Sequence, residues 1–216
     1  MLNIQKLVTG SFEANQYIVW TEGETECLVI DPGEDSPALE TRIESLGLTP
    51  VQIVLTHGHF DHIAGVRRMK EKFGGTICIH SLDGLMLVDA RENLSAYFGF
   101  KVEQPAADRF LEEGDTVAAG STVFKVIHPP GHSPGGICLI GESVVFTGDT
   151  LFCESVGRTD FPKADGEALI KAIKQKLLTL PDDMRVYPGH GPVTTIGHER
   201  QANIFIRQAL RKDSGL

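Results

Sequence analysis

The chain has 216 residues, 41% hydrophobic and 23% charged, with the two classes mixed along its length, as in a globular protein with a substantial core. A formal net charge of −9 argues against a nucleic-acid partner, which calls for clustered Lys and Arg, and no apolar stretch is long enough to span a bilayer. Residues 1–6 lack a secretory-type apolar run and the four cysteines form no C-x-x-C pair, so a reducing cytoplasm without disulfides is expected.

Three strands open the chain: Leu2 to Val8, Asn15 to Trp20 and Cys27 to Ile30, with Glu22-Gly23 as the turn between the last two. Ser36-Pro37 starts a helix whose Leu39, Ile43 and Leu46 share a face, and Gly47 stops it. A buried strand, Val51 to Leu55, precedes a second helix from about His62 to Phe73, closed by Gly74-Gly75. Thr76 to Ile79 is a strand, and Ser81 to Pro105 reads as short helix and loop. From Phe110 to Thr147 strands return, separated by Glu113-Gly114, Ala119-Gly120 and Gly141-Glu142. Asp165 caps a helix carrying Leu169, Ile170, Ile173 and Leu177, then come a short strand, Arg185 to Tyr187, and a last helix, Ile196 to Leu210. Strands and helices alternate in both halves without an interior linker or repeat, which predicts one α/β domain over residues 1–216, its sheets covered by helices.

The densest chemical signal is Thr56-His57-Gly58-His59-Phe60-Asp61-His62, directly after an apolar strand. The chain has only 8 histidines, so three of them in one hexapeptide are a poor match for an ordinary polar loop. A tight turn at Gly58 can point His57 and His59 one way and Asp61 and His62 another, at a strand end where scaffolds present their chemistry. Three later residues share that context: His132 in a Pro/Gly-rich turn, Asp149 after Val144-Val145-Phe146, and His190 after Val186-Tyr187. Singly each fits a structural role, since an Asp after Gly is commonly a turn residue. Together they suit two metals: three histidines for one, Asp61 with two histidines for the other, Asp149 as the bridge, and solvent completing each sphere. Two divalent ions roughly 3.5–4 Å apart can activate a bridging water and polarise a carbonyl at once. His80 and His198 read as a packed and a surface histidine. His128 reads as second-layer support or turn packing, Cys153 as a pocket neighbour but no ligand, and Cys27, Cys78 and Cys138 as buried thiols.

At these residues the sequence resembles the metallo-β-lactamase superfamily. The likeness runs over nearly the whole chain as His57-x-His59-x-Asp61-His62, then His132, Asp149 and His190 in the family's order. The resemblance implies an αββα sandwich with the metal site at the edge of its two sheets. It implies His57, His59 and His132 on one metal, Asp61, His62 and His190 on the other, and Asp149 between. Asp at positions 61 and 149 points away from true β-lactamases, which have a different second-metal set. Gly148-Asp149-Thr150-Leu151-Phe152 with Gly157-Arg158 looks like glyoxalase II, which hydrolyses glutathione thioesters, chiefly S-lactoylglutathione. By that likeness Arg158 would contact the glutathione carboxylate; the plainer reading is a surface arginine paired with Asp160.

The chain ends one helix after His190 and carries Gly191-Pro192 there, so the separate C-terminal helical domain of the eukaryotic type is not expected and the short bacterial type is the better match. Gly157-Arg158-Thr159-Asp160-Phe161 is also similar to a loop of persulfide dioxygenases. Those hold a single iron, here through His57, His132 and Asp149. Against this, Pro188-Gly189-His190-Gly191-Pro192 looks like the hydrolase loop. The expectation is therefore thioester hydrolysis, most simply of a hydroxyacylglutathione, by a metal-bridging hydroxide, with Asp61 and Asp149 as catalytic carboxylates. Two divalent metals are implied, zinc first and iron or manganese as alternatives. The partner is a small-molecule thioester, not a nucleic acid or a membrane.

Overall fold

Tyr17 and Val19 alternate with Ile18 and Trp20 along one strand, and successive strand side chains point to opposite faces. In the computed structural model, which describes residues 1–34 and 37–213, this alternation separates two apolar layers. Tyr17 and Val19 join Phe124, Val126, Leu139 and Phe146 in one cluster, whereas Ile18 packs with Leu39, Ile43, Ile63 and Met69 in another.

The first sheet takes its strands in chain order: β1 (Leu2–Thr9), β2 (Ala14–Thr21), β3 (Glu26–Ile30), β4 (Thr49–Val54), β5 (Thr76–His80) and β6 (Arg109–Leu111). β1, β2 and β3 pair antiparallel, and β3 through β6 pair parallel. Parallel neighbours need crossovers, and helices α1 (Pro37–Ser45), α2 (Phe60–Ile63) and α3 (Val66–Phe73) lie in them. The second part of the chain contributes β7 (Thr116–Ala119), β8 (Thr122–Ile127), β9 (Cys138–Ile140) and β10 (Val144–Gly148), a small hairpin of β11 (Leu151–Phe152) and β12 (Ser155–Val156), then β13 (Arg185–Pro188) and β14 (Thr194–Thr195). The second sheet runs β14-β13-β10-β9-β8-β7, with only the β10–β13 pair parallel.

Tyr17, Leu28, Val54, Phe146 and Tyr187 fill the space between the two sheets. Outside the second sheet Val145 and Val186 meet Leu169, Ile173, Ile196 and Ile206 from α4 (Gly166–Ala172), the π-helical turn Ile173–Leu177, α5 (Ile196–Ala202) and α6 (Ile204–Asp213). Helix, sheet, sheet, helix: the αββα sandwich.

The expected elements sit within about two residues of their predicted ends, with four differences. The second helix is broken: Gly65 donates to Pro32 O at 2.7 Å, and a Cβ there would run into Glu34 O, so α2 and α3 are separate pieces. The last helix is broken at Asn203 (ψ 116°), whose Nδ2 donates to Ser155 O and whose Oδ1 accepts from Phe205 N. The β11–β12 hairpin and β14 were too short to be read. Finally, β6 belongs to the first sheet rather than to the run that follows it. Pro37 opens α1 as expected, while Ser36 lies outside the described residues. Asp165 does cap α4, accepting from Glu167 N and Ala168 N at 3.0 Å each.

Candidate metal centre

All seven candidate ligands leave the carboxyl ends of strands at one edge of the sandwich. β4 leads into His57 and His59, β8 into the turn with His132, β10 into Asp149, and β13 into His190. His59 is the extended N-cap of α2, so the chain turns there from strand to helix and places Asp61 and His62 in the first helical turn. The His190 loop is pinned to the first sheet through Asn15, whose N donates to Gly189 O at 2.7 Å and whose Nδ2 reaches Pro188 O and Gly191 O at 2.9 Å.

Two clusters result. Nitrogens of His57, His59 and His132 lie within 4.8 Å of one another, and so do the donor atoms of Asp61, His62 and His190. Asp149 stands between them: its Oδ2 is 3.5 Å from His132 Nε2 and 3.6 Å from His190 Nε2, and its Oδ1 is 3.4 Å from His62 Nε2. The tautomers fit ligation. His132 Nδ1 donates to Arg158 O at 2.8 Å and His62 Nδ1 faces Asp31 Oδ2 at 3.1 Å, which leaves both Nε2 atoms turned inward. His59 Nδ1 and His132 Nε2 are only 2.8 Å apart, while His57 Nε2 and Asp149 Oδ1 are buried without a hydrogen-bond partner. Buried polar atoms are normally satisfied. This concentration of acceptors without donors is a donor set fitted to cations.

The charge balance points the same way. Burial, together with the neighbouring imidazoles, holds His57 and His59 well below the ordinary histidine range, in the neutral form that ligates. Burial also opposes a charge on His62, yet Asp149, Asp61 and Asp31 outweigh it and push that histidine up to about 10. His190 is raised as well, because its contact with Asp61 overcomes its burial. The same contacts hold the half-buried Asp61 carboxyl well below the usual carboxylate range despite its own desolvation. Positive charge is therefore favoured at this spot, whether it comes as a proton or as a metal.

The sequence matches the metallo-β-lactamase superfamily over residues 9–190. The chain belongs to this superfamily. Its similarity to the hydroxyacylglutathione hydrolase GloC of Haemophilus influenzae is 37% identity, covering 95% of this chain and 98% of that protein. Among solved structures it is similar to the BLEG-1 B3 metallo-β-lactamase (TM-score 0.90, 36% identity, 94% of this chain and 99% of the other). It is also similar to TTHA1623 in a di-iron-bound form (TM-score 0.83, 39% identity, 93% and 99%). The chain is thus a metallo-hydrolase of the superfamily, with a fold that implies divalent metal.

Two carboxylates that hold this superfamily site together escaped the sequence reading. Asp31 accepts from Thr56 N at 2.7 Å, Thr56 Oγ1 at 2.6 Å and His62 Nδ1, which ties the histidine loop to the end of β3. Asp83, in the 3-10 turn Ser81–Leu87, accepts from Gly58 N at 3.1 Å, Ser133 Oγ at 2.7 Å and Gly135 N at 2.6 Å, which joins the His57–His59 turn to the His132 turn. Asp31 had a signal in its position at a strand end before Pro-Gly; Asp83 had none, because it acts only through contacts distant in sequence. Burial raises the Asp83 carboxyl despite these three donors.

The remaining residues fall out as follows. His80 is buried and stacks on His128 at 4.0 Å, and His128 Nε2 bonds Pro134 O at 2.8 Å, so His128 packs a turn. His198 is a surface residue paired with Glu154, and Cys153 lines a separate shallow groove with Thr194 and His198. Cys27, Cys78 and Cys138 are buried free thiols. Arg158 lines the cavity, but its guanidinium is paired in fork geometry with Asp160, at 2.9 and 2.7 Å, and lies 4.5 Å over the Phe161 ring.

Proposed function

We propose that the chain hydrolyses thioesters of small molecules, as a single-domain enzyme acting on neither nucleic acid nor membrane. In this reading His57, His59 and His132 hold one divalent ion, Asp61, His62 and His190 hold a second, and Asp149 is shared. The observation that carries the metal assignment is the Asp149 carboxylate, within 3.6 Å of inward-turned nitrogens from both clusters. Zinc is the first choice of metal, with iron or manganese as alternatives. Similarity to GloC supports S-lactoylglutathione or another hydroxyacylglutathione as the first substrate to test.

Divalent ions bound there would lower the pKa of a water molecule and polarise the thioester carbonyl. The chain supplies the rest. Asp31 and the Arg158 carbonyl hold the rings of His62 and His132 by Nδ1, so their Nε2 atoms need no reorientation. Phe152 and Phe161 stand 5.9 Å from His190 and 5.4 Å from His59 and exclude bulk water from the reacting carbonyl. Asp61 and Asp149 are the two carboxylates that line the cavity, placed to orient the attacking water by accepting its hydrogen bonds. No serine, threonine or cysteine lines the cavity among the described residues, which supports direct attack by water.

The protein reconstituted with excess metal should bind two ions per chain and release thiol from S-lactoylglutathione without consuming oxygen. Asp149→Ala should abolish turnover and lower the metal content. One metal per chain in elemental analysis, or oxygen uptake with glutathione persulfide and no thioester cleaved, would overturn the reading in favour of a mononuclear dioxygenase.

A further inference from the structure

The cavity above the metal centre, about 270 Å³, has two unlike ends. Beside His59 and His132 stand Phe161 and Arg158. The other end, toward Phe60 and Leu94, is mainly aromatic. Phe12 from the β1–β2 loop meets Phe60 edge-on at 4.9 Å and Phe98 at 5.2 Å, and Phe60 also touches Phe98 at 5.2 Å and Phe100 at 5.0 Å. Three separate stretches of chain thus bring four phenyl rings together. Phe60 is buried, yet Phe12 and Phe98 stay 40% and 47% exposed while lining the cavity. Rings held together at the mouth of a polar centre and left open to solvent are a surface awaiting an apolar ligand group.

We propose that this end is an acyl subsite that selects thioesters with an aromatic or branched apolar acyl group. The inference rests on the thioester reading above. The two ends divide the substrate: the carbonyl lies over the metal centre, the acyl group lies against Phe12 and Phe98, and the polar thiol arm runs toward Arg158. Phe12, Phe98 and Leu94 offer that end neither a charge nor a side-chain hydrogen bond, so a carboxylate on the acyl group gains nothing there while a phenyl ring packs edge-on. The chemistry is unchanged. The oxygen of water bonds the carbonyl carbon and the C–S bond breaks with its electron pair on sulfur. One water proton ends on the thiol and the other is released from the acid, with no oxidant involved.

The test compares the phenylacetyl and acetyl thioesters of N-acetylcysteamine, an uncharged thiol, each rate divided by its hydroxide-catalysed rate in solution. Covering a phenyl group should raise kcat/KM about tenfold or more over acetyl. That ratio should fall at least about threefold in Phe98→Ala and in Phe12→Ala, and recover in Phe98→Leu and Phe12→Leu, which keep apolar area. Equal kcat/KM for the two thioesters, or a preference that neither alanine variant alters, overturns the subsite and leaves thioester hydrolysis standing. Turnover of neither thioester, nor of S-lactoylglutathione, overturns the thioester reading and this inference with it.

Discussion

Asp83 touches no candidate ligand, yet it accepts hydrogen bonds from both turns that carry the first cluster. It is fully buried, and its three donors come from positions 25, 50 and 52 residues away. Removing the carboxylate leaves buried donors unsatisfied, each worth about 1–3 kcal/mol. Asp83→Ala should therefore lower the unfolding free energy by about 2 kcal/mol or more in denaturant titration. It should also weaken metal retention against a chelator more than activity at saturating metal. Asp83→Asn keeps the shape and some acceptor capacity and should fall between. A variant that loses stability but holds metal as tightly as the parent would assign Asp83 to folding alone. Arg158 combines the two roles read for it: it lines the cavity and is paired with Asp160. Both side chains are about two-thirds exposed, so the pair itself is worth little and leaves the guanidinium open to a substrate group.

Short elements carry the centre, and backbone contacts decide their ends. Gly65 separates α2 from α3 because the chain passes against Pro32 and Glu34 carbonyls too closely for a side chain. Gly65→Ala should push α2 away from that loop at a cost of about 1–3 kcal/mol, read as a lower denaturation midpoint. Since α2 bears Asp61 and His62, metal affinity should fall in parallel; an unchanged midpoint would mean that the loop yields freely. This break marks the limit of what periodicity can tell. Ile63, Val66 and Met69 do share a buried face at helical spacing, so the pattern reads straight through Gly65. The last helix hides its break in the same way: Asn203 looks like an ordinary polar position, while its partners Ser155 and Glu199 include one 48 residues away. The αββα layering was legible because each strand writes its two faces as alternation, and the candidate ligands because His57, His59, His132, Asp149 and His190 follow strands beside Gly, with Asp61 and His62 in the same dense hexapeptide. The aromatic wall was not, since Phe12, Phe60 and Phe98 become neighbours only through the fold.

At the scale of the whole molecule, the centre couples its two sheets. Asp31, the histidine loop and α2 belong to the first sheet, and His132, Asp149 and His190 to the second. A cation held as proposed would cross-link the sandwich, and any ligand that binds only the native state adds to its stability. The pH dependence of that gain follows from His62. In metal-free protein its pKa is raised to about 10 by Asp149, Asp61 and Asp31 against the opposing effect of burial. In the unfolded chain it is about 6.5. A raised pKa contributes stability that is fully present below about 6.5 and is lost as pH rises through about 10. On the proposed ligation the trend runs the other way, since a metal would have to displace the proton from His62 and would bind more tightly as pH rises. His57 and His59, held neutral by burial, do not offset this trend. The loss in Tm on stripping metal with a chelator should therefore widen steadily from about pH 6.5 to about pH 9. Thermal unfolding of loaded and stripped protein across that range checks it. A gap that stays constant or narrows with rising pH would remove His62 from the ligand set.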